Sequence, residues 1–289
     1  MLINMDQEDK YAKNKKGKKA KKSFHKDIEL EINLFDYEKN LDNMSITEFK
    51  NTEYLSNKDK SIFENKFSKP RNSAQHKLLS SLKEKDYKIV IASGPAGTGK
   101  TLFGVEQGIR NYILGNYEKI IFTRPTVTVD EDLGYLPGTL EEKLNPYIRP
   151  IFDILYNFIS PKEVENMIID KIIEISPLGF LRGRTFKNCW IIADEMQNST
   201  ISQMKMLLTR LGENSRLVIT GDLEQNDRHG ELNGLEDFLN KMKGRRSDSI
   251  SSVEFDRTQV EREEVVKEVL EIYETNKIPY LSSDIDSDD

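Results

Sequence analysis

Cysteine and histidine are scarce in this 289-residue chain. One cysteine, Cys189, excludes an internal disulfide framework, and three widely spaced histidines, His25, His76 and His229, allow no zinc pattern. Long apolar runs are missing as well. The longest, such as Ile151 to Ile159, are broken by Asp153 and Asn157 and fall short of the roughly 20 residues that cross a bilayer. The amino terminus carries Asp6, Glu8 and Asp9 where a secretory signal would need a basic and then an apolar stretch. The expectation is a soluble cytoplasmic protein without a membrane partner, large enough to bury roughly 70% of its unfolded surface.

Charge is present in both signs but is unevenly placed. The net charge is −6, yet Lys10 to Lys26 holds nine lysines and no acid, and the last nine residues hold Asp284, Asp286, Asp288 and Asp289. An acidic total therefore does not exclude nucleic acid, because a polycationic arm binds phosphate locally by releasing counterions. The same run reads equally as a solvated, disordered tail, or in a eukaryotic host as a nuclear import signal.

Three regions follow from texture. Residues 1–65 read as a lysine-rich, mostly disordered arm, with one short apolar alternation at Ile28 to Leu34 that suits an isolated strand. Residues 66–277 read as a single α/β domain, and residues 278–289 as an acidic disordered tail. In the middle region compact apolar runs alternate with segments of helical period, the pattern of a parallel sheet with helices on both faces. The runs are Ile89 to Ala92, Lys119 to Thr123, Ile172 to Ile175, Cys189 to Ala193, Arg216 to Thr220 and Ser252 to Phe255. Between them, helical segments at Leu102 to Leu114 and Ile201 to Leu211 meet stops at Gly115 and Gly212.

Gly94, Pro95, Ala96, Gly97, Thr98, Gly99, Lys100 and Thr101 spell a phosphate loop between a strand and a helix. Its glycines allow main-chain N–H groups to converge on an anion at a helix amino terminus. In such a loop Lys100 bridges the β and γ phosphates of a nucleotide and the Thr101 hydroxyl ligates Mg²⁺. The buried run Cys189 to Ala193 then delivers Asp194 and Glu195 at its carboxyl end, where open α/β sheets bind ligands. Asp194 suits the Mg²⁺ shell and Glu195 the general base for an attacking water. After the next run, Gly221 to Gln225 offers Gln225, a neutral amide able to contact the γ phosphate or the water.

The residues from about Pro70 to Tyr273 closely resemble the PhoH family, phosphate-starvation-inducible ATPases whose single domain is similar to the core of superfamily 1 helicases. The matching stretches are Gly94 to Thr101, Thr123 to Pro125, Leu133 to Leu155, Pro177 to Thr185, Ile192 to Asn198, Met204 to Gly212 and Gly221 to Gln225. The resemblance implies a RecA-like P-loop NTPase fold, ATP with Mg²⁺, and a link to RNA or single-stranded nucleic acid. It assigns Gln75 to reading adenine, and Thr123 and Arg124 to the neighbourhood of a bound strand. Departures occur at Asp130, at Arg228 and His229, and at Gln259 and Glu263 flanking Arg262.

Helicase cores of this kind take their catalytic arginines from a second RecA-like domain, for which this chain has no room. The expectation is a homo-oligomeric ring, for instance a hexamer, in which Arg182, Arg184 or Arg262 reaches the neighbour's γ phosphate. The main reading is thus a nucleic-acid-linked ATPase, with helicase activity left open. A P-loop kinase and an ATP-gated interaction module with slow hydrolysis are the alternatives.

Overall fold

The computed structural model describes residues 50, 57–125, 149–225, 233–261, 264–266 and 268–269. The Ile28 to Leu34 strand, the acidic tail, Asp130, Arg228, His229, Arg262 and Glu263 lie outside the described residues. The chain divides into two units, residues 1–67 and 68–289. In the first, the expected unstructured arm ends in a helix, α1 (Asn57–Asn65). Phe63 and Phe67, four residues apart, meet edge to face there, with ring centroids 5.2 Å apart.

The second unit is built on six strands, β1 (Ile89–Ser93), β2 (Lys119–Arg124), β3 (Ile173–Pro177), β4 (Cys189–Ala193), β5 (Arg216–Gly221) and β6 (Ile250–Glu254). They form one parallel sheet in the order β3-β2-β4-β5-β1-β6. Helix α2 (Ser73–Lys83) precedes β1, and between the strands lie α3 (Lys100–Ile113), α4 (Pro161–Ile169), α5 (Ile201–Leu208) and α6 (Gly234–Met242). This is the expected α/β architecture.

Unbroken apolar strands arise because both sheet faces are covered. Side chains alternate across each strand, so one set, with Ile91, Ile121, Ile191, Leu217 and Ile219, packs against Met204, Leu207 and Leu235 of α5 and α6. The alternate set faces α3, where Gly104 lies against Val218 and Gly108 against Trp190. A Cβ on Gly108 would sit 2.8 Å from Trp190 Cδ1, so this glycine sets how closely helix and sheet approach. The indole N–H of Trp190 donates to Gly104 O at 3.1 Å.

Most strand and helix ends shift by one or two residues from expectation, β3 for example running Ile173–Pro177, and two of the differences have a visible cause. The sixth strand begins at Ile250, two residues early, where its main chain pairs with Ile89. The helix after Thr200 ends at Leu208, before Gly212. There the Thr209 hydroxyl donates to Lys205 O and Met206 O, and Arg210 Nε donates to Met206 O, closing the last turn. Gly212 is required for another reason: its N–H donates to Phe186 O, and a Cβ would lie 2.4 Å from that oxygen.

Candidate functional site

The strand order sets the site's layout. Strand β5 lies between β1, which leads into the glycine loop, and β4, which ends at Asp194, so three carboxyl ends share one rim. Gly94 (φ 131°), Gly97 (φ 82°) and Gly99 (φ 86°) all take positive φ. At Gly94 a side chain has no room either, since its Cβ would stand 2.2 Å from Phe255 O. Gly94 N–H donates to Gly221 O at 3.1 Å, tying the loop to the end of β5. No side chain caps α3, the arrangement that offers main-chain N–H groups to an anion.

Lys100 is buried, and its ammonium donates to Gly94 O and Pro95 O at 2.6 Å each and to Thr98 Oγ1 at 3.3 Å. It lies folded into the loop it serves. Thr98 Oγ1 closes the loop by donating to Pro95 O at 2.9 Å.

Opposite the loop, Asp194 Oδ1 accepts hydrogen bonds from Thr101 Oγ1 at 2.9 Å and from Thr220 Oγ1. Asp194 N–H is anchored on Thr123 O at 2.9 Å. Glu195 follows in the left-handed region (φ 53°, ψ 39°), a conformation costing a non-glycine residue about 1–2 kcal/mol. With the 3-10 turn Met196–Asn198 behind it, that turn gives the two adjacent carboxylates different partners, Asp194 the hydroxyls and Glu195 the Gln197 amide. Thr101, Asp194 and Thr220 form a set of hard oxygen donors suited to Mg²⁺. Among the described residues no three His, Cys, Asp or Glu side chains gather as a metal cage. A metal here would therefore rely on phosphate oxygens and water for its remaining ligands, as Mg²⁺ does at nucleotide sites.

The remaining candidates fall in different places. Gln75 packs against the loop, its Nε2 donating to Thr98 O at 3.1 Å and its Oε1 accepting from Arg71 N–H at 2.7 Å. Thr123 is buried beneath the Asp194 turn, with an Oγ1 that has no hydrogen-bond partner among the described residues, and Arg124 ends β2 half-buried. Gln225 follows β5, its N–H donating to Asp222 O at 3.1 Å. Arg182 and Arg184 follow β3 and the 3-10 turn Leu178–Leu181. Arg182 is exposed. Arg184 forks onto the Glu174 carboxylate and sits 4.6 Å above the Phe186 ring. That guanidinium holds the Glu174 carboxyl below the ordinary carboxylate range.

The sequence reading passed over Gln197. It is 1% exposed and bridges Glu195 to the loop after β5. Its signal was a long polar side chain inside the Ile192 to Asn198 stretch, just ahead of a helix already capped by Thr200 and Gln203.

A parallel sheet carrying a glycine loop at the start of a helix, with a hydroxyl and a carboxylate paired beside it, defines the P-loop NTPase class of α/β protein. Within that class the assignment is specific: the family model described as PhoH-like protein matches residues 68–274, and the chain belongs to that family. It is 42% identical over 205 residues to a PhoH-like protein of Bacillus subtilis, covering 71% of this chain and 63% of that protein. Protein PhoH of Escherichia coli K12 is 37% identical over 206 residues, 70% of this chain and 57% of its own. A PhoH-like protein of Synechocystis is 35% identical over 207 residues, 70% and 61% respectively. The chain thus spans about six tenths of the length of these bacterial relatives. No described helix is long and apolar enough to cross a membrane.

Proposed function

We propose that the chain hydrolyses ATP with Mg²⁺ and couples the hydrolysis to RNA or another single-stranded nucleic acid. The observation that carries the first part is the 2.9 Å hydrogen bond between Thr101 of the loop and Asp194 at the end of β4, beside a buried lysine. Bound Mg²⁺ would neutralise phosphate charge there and polarise the bond to the leaving oxygen. Lys100 exchanges its carbonyl partners for phosphate oxygens. Glu195 accepts the proton of the attacking water, and Gln225 contacts the water or the terminal phosphate from the loop after β5. Gln75, holding Thr98 O, keeps the loop's back wall beside the adenine site.

Two features support the wider reading. The nine lysines between Lys10 and Lys26 supply cations for a phosphate backbone, with Arg124 as a further contact; Thr123, expected to join it, is buried and has no surface to offer a strand. The Arg184 guanidinium is engaged by Glu174 of β3. The arginine acting on the terminal phosphate comes in this reading from a neighbouring copy in a ring, from Arg182, Arg184 or Arg262.

Phosphate release measured with and without single-stranded RNA tests the reading. Strong stimulation is the expected result. ADP formed without free phosphate would favour a kinase, and slow, unstimulated release an ATP-gated interaction module. Glu195→Gln should bind ATP like the parent while losing about 100-fold or more in kcat. Removal of residues 1–30 should weaken RNA binding and flatten its salt dependence while sparing basal turnover. Light scattering that finds a fully active monomer would remove the ring.

A further inference from the structure

The Gln197 side chain joins two parts of the site that the chain reaches separately. Its Nε2 donates to Glu195 Oε2 at 2.5 Å and approaches Gln225 O at 3.4 Å, while its Oε1 accepts from Asp222 N–H at 3.0 Å. The amide's orientation is fixed by this set. A main-chain N–H can only donate, so Oε1 must face Asp222 and the NH₂ group must face the carboxylate.

The surroundings are cut to fit that amide. At Gly221 a Cβ would lie 2.8 Å from Gln197 Oε1 and 2.5 Å from Leu235 Cδ2, so only glycine lets the glutamine seat against the end of β5. On the other side Asn198 N–H donates to Glu195 O at 3.0 Å, holding the positive-φ turn that aims Glu195. Main chain and side chain together fix one carboxylate oxygen. Oε1 of Glu195, which accepts no hydrogen bond among the described residues, is left for water.

We infer that Gln197 is a positioning residue for hydrolysis, acting through Glu195 and making the general base and the Asp222–Gln225 loop respond as one unit. The inference rests on the ATPase reading above. A loop displaced by the terminal phosphate would pull on Asp222 N and Gln225 O, and the same amide would carry that displacement to the Glu195 carboxylate. Water activation is thereby tied to a filled γ-phosphate position.

The test uses the full chain and compares the parent with Gln197→Met, Glu195→Gln and the double variant, measuring kcat and ATP affinity for each. Methionine keeps the volume and removes both hydrogen-bonding ends. Gln197→Met should hold ATP within about twofold of the parent and lose 10- to 100-fold in kcat, the size seen when a supporting contact is cut. In the Glu195→Gln background the same change should cost no more than about twofold further, because the group it acts through is already gone. Gln197→Glu, of equal size and with an acceptor turned toward Glu195, carries the same expectation should the methionine variant not fold. Parent-like kcat in Gln197→Met, or losses that multiply in the double variant, would overturn the inference while leaving the ATPase reading intact. A parent that releases no phosphate would overturn the ATPase reading itself.

Discussion

The two ends of the sheet each bury charge, and they handle it in opposite ways. At the carboxyl rim Asp194 is met by two hydroxyls, Thr101 and Thr220, and Lys100 by carbonyls of its own loop. At the other end Arg216, 3% exposed, directs its guanidinium at Leu82 O and Glu84 O at the carboxyl end of α2 and lies 5.4 Å from the Trp190 ring. Burial pulls the Arg216 pKa below its ordinary value. Its partners are main-chain groups of a helix terminus, which cannot leave without unravelling the turn. Hydroxyls and loop carbonyls can turn away when a metal or phosphate arrives. A buried charge with exchangeable partners marks a binding site, whereas one with fixed partners marks a brace.

The sharpest way to break this contrast is to remove one charge from each end. Lys100→Ala should weaken ATP binding by about 1,000-fold, roughly 4 kcal/mol, while the melting temperature of the nucleotide-free protein stays near the parent's. Arg216→Met should do the reverse, lowering stability by about 3 kcal/mol in urea unfolding because two buried carbonyls lose their partners, with ATP affinity nearly kept. Equal effects on both quantities in both variants would erase the distinction.

A smaller change probes exchangeability itself. Thr220→Val keeps the shape but removes one of the two hydroxyls on Asp194, and should raise the Mg²⁺ concentration needed for half-maximal turnover by about tenfold. An unchanged Mg²⁺ requirement would leave Thr220 with a purely structural part.

The smallest effect concerns a fourth buried charge, Glu106 on α3, whose carboxylate accepts from Ser68 N–H at 3.0 Å and from Ser68 Oγ at 2.6 Å. Burial raises its pKa more than those hydrogen bonds lower it. The folded protein therefore keeps this proton to higher pH than the unfolded chain does, and stability falls as pH rises from the ordinary glutamate range through the raised value. Glu106→Gln should flatten that fall, gaining stability over the parent where the pH lies above the raised value and nothing where glutamate is protonated in both states. Stability curves measured against pH give the answer.

How much of this was legible in the sequence depended on the range of each interaction. Strand β4 runs from Cys189 to Ala193, as its apolar run predicts, because burial on both faces leaves an unbroken hydrophobic signature. Lys100, Thr101 and Asp194 were legible because loop and strand-end chemistry is written in short local motifs. Gly212 was misread as a helix stop since the carbonyl that demands it belongs to Phe186, distant in sequence. Gln197 and Arg216 stayed hidden for the same reason. A buried amide is recognised by its partners, here Asp222 and Gln225, and a buried guanidinium by carbonyls more than 130 residues away.

Trp190 is the chain's one tryptophan. Its indole is hydrogen-bonded to Gly104, one turn along the helix that opens at Lys100, and its ring lies against Gly108 one turn further. Any shift of that helix as the loop closes on an anion disturbs this bond and the polarity around the ring. The protein thus carries an intrinsic fluorophore on the helix that its glycine loop opens, so a change of Trp190 emission on adding nucleotide would report occupancy without a label.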